Sequence, residues 1–277
     1  MKKFILFSFI AVLGLSQTAW ADSFLPSTQY ARGEKFLPAP IDTASQRFAA
    51  DWLMYTWGKT QRNKSRATDA KSDNNTSAMQ LCKSFTPAFG YTLSINKTPK
   101  IYALINKVRN DIMSATTSAK AAYMRKRPFD QFNETSLIST SEASLKKTGS
   151  YPSEHAALGW GVSLILAEIN IARQDSILSR GYQCGQSQVI LGFHYQSDVE
   201  AGRCVGTAAV ARLHADENFA AELNAAKKEY EDLVTGVNAP AYTPQSTGQR
   251  YDLQGNEIDQ SPQNGIYIQD GKKYKEK

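Results

Sequence analysis

Apolar residues recur every three to four positions through most of the chain, the spacing that gathers them on one face of an α-helix. Phe48, Trp52, Leu53 and Tyr55 mark such a face within residues 44–59. Ile101, Leu104, Ile105, Val108 and Ile112 mark a second. Pro99 can open that helix at its first turn, and the pattern runs on to about Arg125 before Pro128 stops it. Residues 156–171 are apolar nearly all round, as expected for a helix buried in the middle of a bundle, and Pro152-Ser153 supply its start. Helical patterns follow over 174–191, from His194 or Tyr195 to Leu213 with many Ala and Gly, and over 217–234 with Phe219, Leu223 and Tyr230 on one side. Residues 60–76 read as a loop or a solvated helix face. Residues 130–149 form a polar connection of roughly twenty residues, a length that in a compact domain marks function or disorder. Neither strand-like alternation nor a repeat interrupts this body. The expected fold is an all-α bundle over 22–236, with an extended N-terminal arm over 22–43 that carries Pro26, Pro38 and Pro40.

The two ends follow other rules. Met1-Lys2-Lys3, an apolar stretch from Phe4 to Leu15, and Ala19-Trp20-Ala21 have the three-part pattern of a secretory signal peptide cut after Ala21. The other reading is a membrane anchor, but the apolar run is shorter than the roughly 20 residues that a bilayer requires. The 156–171 segment carries Glu168, and no later stretch qualifies as a span. Periplasmic or secreted localisation is therefore expected. Beyond 237 a linker with Pro240 and Pro244 leads into period-two alternation, and Asp270-Gly271 is a type I′ hairpin signal. This stretch is similar to the short hairpin tails that sort exported proteins in some bacteria. A frayed tail with hairpin tendency is the alternative.

Composition narrows the function. The hydrophobic share of 42% in 277 residues suffices for a core, and the net charge of +6 is too mild for a nucleic-acid stripe. Arg125-Lys126-Arg127 alone reads as a solvated helix end. Cys82, Cys184 and Cys204 have no metal-ligand spacing; in an oxidising compartment they could form one bridge, with the pair left open. Trp57-Gly58-Lys59-Thr60 ends like a phosphate-binding loop, but Leu53 stands where the first glycine belongs. Metalloprotease, dinucleotide and nucleophile-elbow signatures are absent from the sequence.

The residues that remain suit phosphoryl chemistry. His155 follows Ser153 at a helix start, where free N–H groups and a hydroxyl can face an anion. His194 precedes Asp198 by four, so on a helix the carboxylate could hold Nδ1–H and leave Nε2 free to attack. Lys120 and Arg127 offer two cations. Taken singly, each histidine could equally be structural, and His214 is left as a helix-end residue.

At these positions the chain resembles the class A bacterial acid phosphatases of the PAP2 superfamily. Lys120, six residues and Arg127-Pro128 match the family's first motif. Gly149-Ser150-Tyr151-Pro152-Ser153-Glu154-His155 matches the second with one change, Glu154 for Gly. Ser187-Gln188, five residues, His194, three residues and Asp198 match the third with one change, Gln188 for Arg. The resemblance implies a PAP2-type helical bundle that hydrolyses small phosphomonoesters, nucleotides included. His194 would be the nucleophile, forming a phosphohistidine, Asp198 its orienter, and His155 the acid and then the base. Lys120, Arg127, Ser153 and Gln188 would face the phosphate, with no metal and no cofactor. It is compatible with a homo-oligomer, with no nucleic-acid partner and no membrane span.

The two changes alter the charge. The family pattern puts three cations around the phosphate, whereas this chain has Lys120, Arg127 and the Glu154 carboxylate. Loss of one charge-assisted donor to a transition state costs about 2.7–4 kcal/mol. Glu154 can alternatively be a first-turn acid that complements the helix dipole. The leading expectation is an attenuated acid phosphatase. A catalytically inactive relative that binds phosphorylated ligands or a partner is the second, and a lipid phosphatase or vanadium haloperoxidase the third.

Overall fold

The structure, a computed structural model, describes residues 23–236, 250–251, 257–258, 266–269 and 272–275. The signal-like segment 1–21, the linker beyond 237 and the Asp270-Gly271 turn lie outside the described residues. The chain divides into two compact units between Tyr230 and Glu231; the expected boundary was 236/237.

The first unit is all-α, as the sequence implies. Its helices are α1 (Gly33–Phe36), α2 (Phe48–Gln61), α3 (Arg66–Asp73), α4 (Ala78–Phe89), α5 (Pro99–Ser114), α6 (Thr117–Tyr123), α7 (Pro128–Gln131), α8 (Glu142–Leu145), α9 (Glu154–Ile169), α10 (Gln174–Leu191), α11 (Gln196–Leu213) and most of α12 (Glu217–Thr235), whose last residues fall in the second unit. Helix α9 is the centre: it packs against α10, α11 and α5, and Leu158, Val162, Ile165 and Leu166 are all buried. None of the described helices is long and apolar enough to cross a membrane.

Several expectations are corrected. The run from Pro99 breaks at Ala115-Thr116, where the Thr116 hydroxyl donates to the Met113 carbonyl (2.8 Å) and competes with the helical bond. Pro128 starts α7 instead of stopping a helix, because its missing N–H and fixed φ suit a first turn. The polar 60–76 stretch contains α3, with Ala67 and Ala70 inward. Helix α4, for which no element was expected, is capped by Ser77 and ends at Gly90 in the left-handed region (φ 85°). The first amphipathic helix begins at Phe48, not Ala44, since Asp42 Oδ1 accepts from Ala44 N–H (2.9 Å) and forms a turn there. All three cysteines are free thiols.

The N-terminal arm is laid along this unit by named bonds. Phe24 and Leu25 N–H donate to the buried Asp111 carboxylate (2.9 and 3.0 Å), and Tyr151 Oη donates to the Pro38 carbonyl (2.8 Å). In the second unit, strands β1 (Arg250–Tyr251), β2 (Glu257–Ile258), β3 (Ile266–Gln269) and β4 (Lys272–Lys275) form an antiparallel sheet in the order β2-β1-β3-β4. Gln269 pairs with Lys272, so two residues connect β3 to β4.

The close approach of α11 to α9 depends on two glycines. A Cβ on Gly202 would sit 2.3 Å from the Ser153 carbonyl oxygen, and one on Gly206 would sit 2.4 Å from that of Ala157. Backbone cannot yield as a side-chain tip can. Gly206→Ala should therefore lower the unfolding free energy by about 1–3 kcal/mol in urea titrations, and an unchanged midpoint and slope would contradict this packing.

Candidate active site

One end of the bundle gathers chain segments that are far apart in sequence. Helix α6 ends at Met124, whose left-handed φ of 41° turns the chain so that Arg125 and Arg127 point inward. Only Lys126 of that basic triplet is exposed, so the solvated-end reading of the cluster is corrected. Ser153 caps α9, its Oγ accepting from Ala156 N–H (3.4 Å), and places Glu154 and His155 in the first turn. Helix α10 ends at Gly192 in the left-handed region (φ 81°). The Gln188 carbonyl then accepts from Phe193 and His194 N–H (3.1 and 3.4 Å), which folds the turn that carries His194 back onto the helix.

The result is a cleft of about 260 Å³. Lys120, Arg127, Glu154, His155, Gln188 and His194 all line it, together with Ser144, Leu145 and Thr148 of the long polar connection. The two imidazoles thus face one space, as the motif reading requires. Ser153 and Asp198 are fully buried and lie outside the lining. Glu154 is in the first turn, as the dipole reading had it, yet it also lines the cleft, and its charge acts on Lys120, Arg127 and His155.

The bonds around His194 assign its protons. Arg127 Nη1 lies 3.0 Å from Nε2, and a guanidinium can only donate, so Nε2 carries the lone pair. The proton then sits on Nδ1, which lies 3.3 Å from Ser150 Oγ and 3.6 Å from Asp198 Oδ2. Ser150 Oγ donates to the same Asp198 oxygen at 2.6 Å. The hydroxyl therefore relays between ring and carboxylate. The helical argument for this pair is corrected: α11 starts only at Gln196, and Asp198 meets His194 because Asp198 Oδ2 accepts from Tyr195 N–H (2.9 Å) at the helix start.

Asp198 is held by more than His194. Arg125 Nη1 donates to Asp198 Oδ1 (2.6 Å), and Nη2 donates to Asp51 Oδ2 (3.0 Å) and to the Ile41 carbonyl (3.1 Å). The Tyr195 ring stacks 4.1 Å from the guanidinium carbon. Burial alone would raise the Asp198 pKa, but His194, Arg125 and Ser150 hold the carboxyl well below the usual range. Burial and then the Arg127 charge pull His194 down to about 3. Burial, aided by Arg127, brings the Lys120 ammonium down to about 8, where it donates to the Gly149 carbonyl (3.1 Å). His155 is also lowered, first by burial. Its Nε2 lies 3.2 Å from the Asn74 carbonyl at the end of α3, so Nε2 carries a proton and Nδ1 is the free ring nitrogen.

Gln188 is unlike the other cleft residues. It is fully buried, and neither its Oε1 nor its Nε2 has a hydrogen-bond partner among the described residues. Leaving such atoms unpaired costs about 1–3 kcal/mol each.

Sequence reasoning missed Arg125, Asp51, Ser150 and Asn74. Ser150 lies inside the second motif and Arg125 two residues before the motif arginine, but neither carried a role in the spacing. Asp51 and Asn74 gave no signal at all.

The family model of the PAP2 superfamily matches residues 101–220. The chain is 40% identical over 211 residues to a non-specific acid phosphatase of Providencia stuartii, covering 76% of this chain and 85% of that one. It is 35% identical over 198 residues to a non-specific acid phosphatase of Salmonella typhimurium, covering 71% and 79%. To an acid phosphatase of Zymomonas mobilis it is 31% identical over 236 residues, covering 83% and 89%.

The lowered His194 pKa has a consequence for stability. An unfolded chain binds a proton on histidine below about pH 6.5, whereas the folded chain resists it until about pH 3. Acid therefore favours the unfolded state, and this contribution is complete above about pH 6.5 and lost as the pH falls toward about 3. Between pH 6.5 and 4.5 in phosphate-free buffer, the wild type should lose about 2–3 kcal/mol more unfolding free energy than His194→Asn. Identical pH dependence in urea titrations would refute the assignment.

Proposed function

This chain belongs to the PAP2 superfamily, in its bacterial non-specific acid phosphatase branch, and from that membership we propose that it is an exported phosphomonoesterase working through a phosphohistidine on His194 without a metal. The observation that carries the reading is the neutral His194, whose Nε2 lone pair opens on the same cleft as His155, Lys120 and Arg127.

In this reading a phosphomonoester enters the cleft and draws Arg127 from Nε2 onto a phosphate oxygen. The freed Nε2 attacks phosphorus in line as the bond to the leaving oxygen breaks. His155, protonated at that stage, gives its proton to the departing alkoxide. The Nδ1 proton stays between Ser150 and Asp198, whose negative charge offsets the phosphoimidazolium. Water then attacks phosphorus while His155 takes its proton; the N–P bond breaks, and phosphate leaves with both histidines restored. Lys120 and Arg127 stabilise the spread of negative charge over the equatorial oxygens. A nucleophile with a pKa near 3 remains unprotonated in mildly acidic solution, which supports an acid optimum.

The decisive assay is release of phosphate from an aryl phosphate by the mature chain at pH 5 with a chelator present. Wild type should turn over, His194→Ala should lose the activity by at least about 10³-fold, and acid-quenched wild type should carry label from a ³²P-substrate. Equal inactivity of both proteins across pH 4–8 would favour the inactive ligand-binding relative. Ser150→Ala should lower kcat by about ten- to a hundredfold with little change in KM, because the relay positions His194 and does not touch substrate.

A further inference from the structure

The cleft carries an amide where only donors would suit a fully ionised phosphate. Gln188 offers Nε2–H groups as donors and Oε1 as an acceptor, both buried and without protein partners among the described residues. A phosphomonoester dianion has only acceptor oxygens and would leave Oε1 unpaired. The monoanion has acceptor oxygens and one P–OH, and can satisfy both atoms at once.

The surrounding charges agree. Lys120 on α6 and Arg127 before α7 face the cleft with Glu154 and His155 on α9, and with His194 before α11. In the cleft before a ligand enters, with both histidines neutral, two cations and one carboxylate leave a single positive charge. Asp198 lies behind His194 and is matched by Arg125. On the other sides of α10, Arg66 and Asp73 of α3 close on Ser187 (2.7 and 2.6 Å), and Arg62 at the end of α2 donates to the Ile190 carbonyl (2.9 Å), so none of them supplies Gln188.

We propose that this site selects the singly charged, protonated form of a phosphomonoester, with P–OH donating to Gln188 Oε1 and Gln188 Nε2 donating to a phosphate oxygen. The inference rests on the phosphatase reading and narrows it. It places the pH dependence of binding in the ligand's own ionisation. The second ionisation of a phosphomonoester lies at about pH 6, above which the monoanion fraction falls about tenfold per pH unit. Glu154 strengthens the selection, since its carboxylate opposes a second negative charge on the ligand.

Two ligands with an uncleavable C–P bond test this without turnover: benzylphosphonate and its α,α-difluoro analogue, whose second ionisation is lower. Calorimetric affinities on the wild-type mature chain from pH 5 to 8 should fall about tenfold per pH unit above each ligand's own second pKa, so the two curves are displaced. Gln188→Met, which keeps the bulk and removes both polar functions, should flatten the dependence, and Gln188→Arg should favour the dianion. If both ligands weaken at the same pH, a protein group such as His155 or Lys120 titrates instead and the proposal fails. It fails equally if wild-type affinity is flat or rises with pH, or if Gln188→Met changes nothing. Absence of binding with aryl phosphate hydrolysis intact defeats this inference alone; absence of both defeats the phosphatase reading too.

Discussion

A single buried carboxylate holds this end of the molecule together. Asp198 is fully enclosed, and an ionised group in that position is tolerable only when its neighbours supply compensating charge and hydrogen bonds. Those neighbours come from three separate segments at the site: Arg125 after α6, Ser150 before α9, and Tyr195 N–H at the start of α11 with His194 beside it. Through Arg125 the same charge reaches Asp51 on α2 and the Ile41 carbonyl in the arm. Removing the Asp198 carboxylate would leave Arg125 with Asp51 as its one remaining carboxylate partner among the described residues, while removing Arg125 would take the cation from both carboxylates. The network therefore ties these segments together, and it fixes the tautomer of His194 as well.

The helical frame supplies what that network cannot, a fixed distance. Helix α9 brings its N-terminus to the cleft because α11 lies close against it, Gly202 at the Ser153 carbonyl and Gly206 one turn further along. The Ser153 N–H also donates to the Asp198 carbonyl (2.8 Å), so the start of α9 is tied to the start of α11 by backbone as well as by packing. On the opposite side, the end of α3 presents the Asn74 carbonyl to His155. The two histidines are thus oriented by different segments, His155 through Nε2 on the Asn74 carbonyl and His194 through Nδ1 on Ser150 and Nε2 on Arg127.

Much of this was legible in the sequence, for reasons that differ by element. The patterns of α9 and α10 are burial written as periodicity and were readable to within a few residues, whereas the stripe of α5 gave its start at Pro99 and not its end at Ser114. Helix α4 has an equally regular stripe (Ala78, Leu81, Cys82, Phe85, Phe89) between a Ser cap and a Gly stop, but Pro87 in its last turn masks it. Helix α3 buries only two alanines, too little to distinguish a helix from a polar loop. The motif spacings gave Lys120, Arg127, His155 and His194, because each motif keeps its residues within one short segment. Arg125, Asp51 and Asn74 were illegible, because their roles arise only where separate segments meet.

The same distinction bears on the two altered motif positions. Gln188 and Glu154 line the cleft beside Lys120, Arg127 and both histidines, whereas Asp198 and its network lie behind that wall. Here the relay is complete: Asp198 has its cation, its hydroxyl and its backbone donor, and His194 is held neutral. The two changes fall on the cleft lining and outside the Asp198 network. This pattern fits the proposed phosphatase site with an altered choice of anion, because recognition can shift one donor or one charge at a time while the supports of His194 cannot.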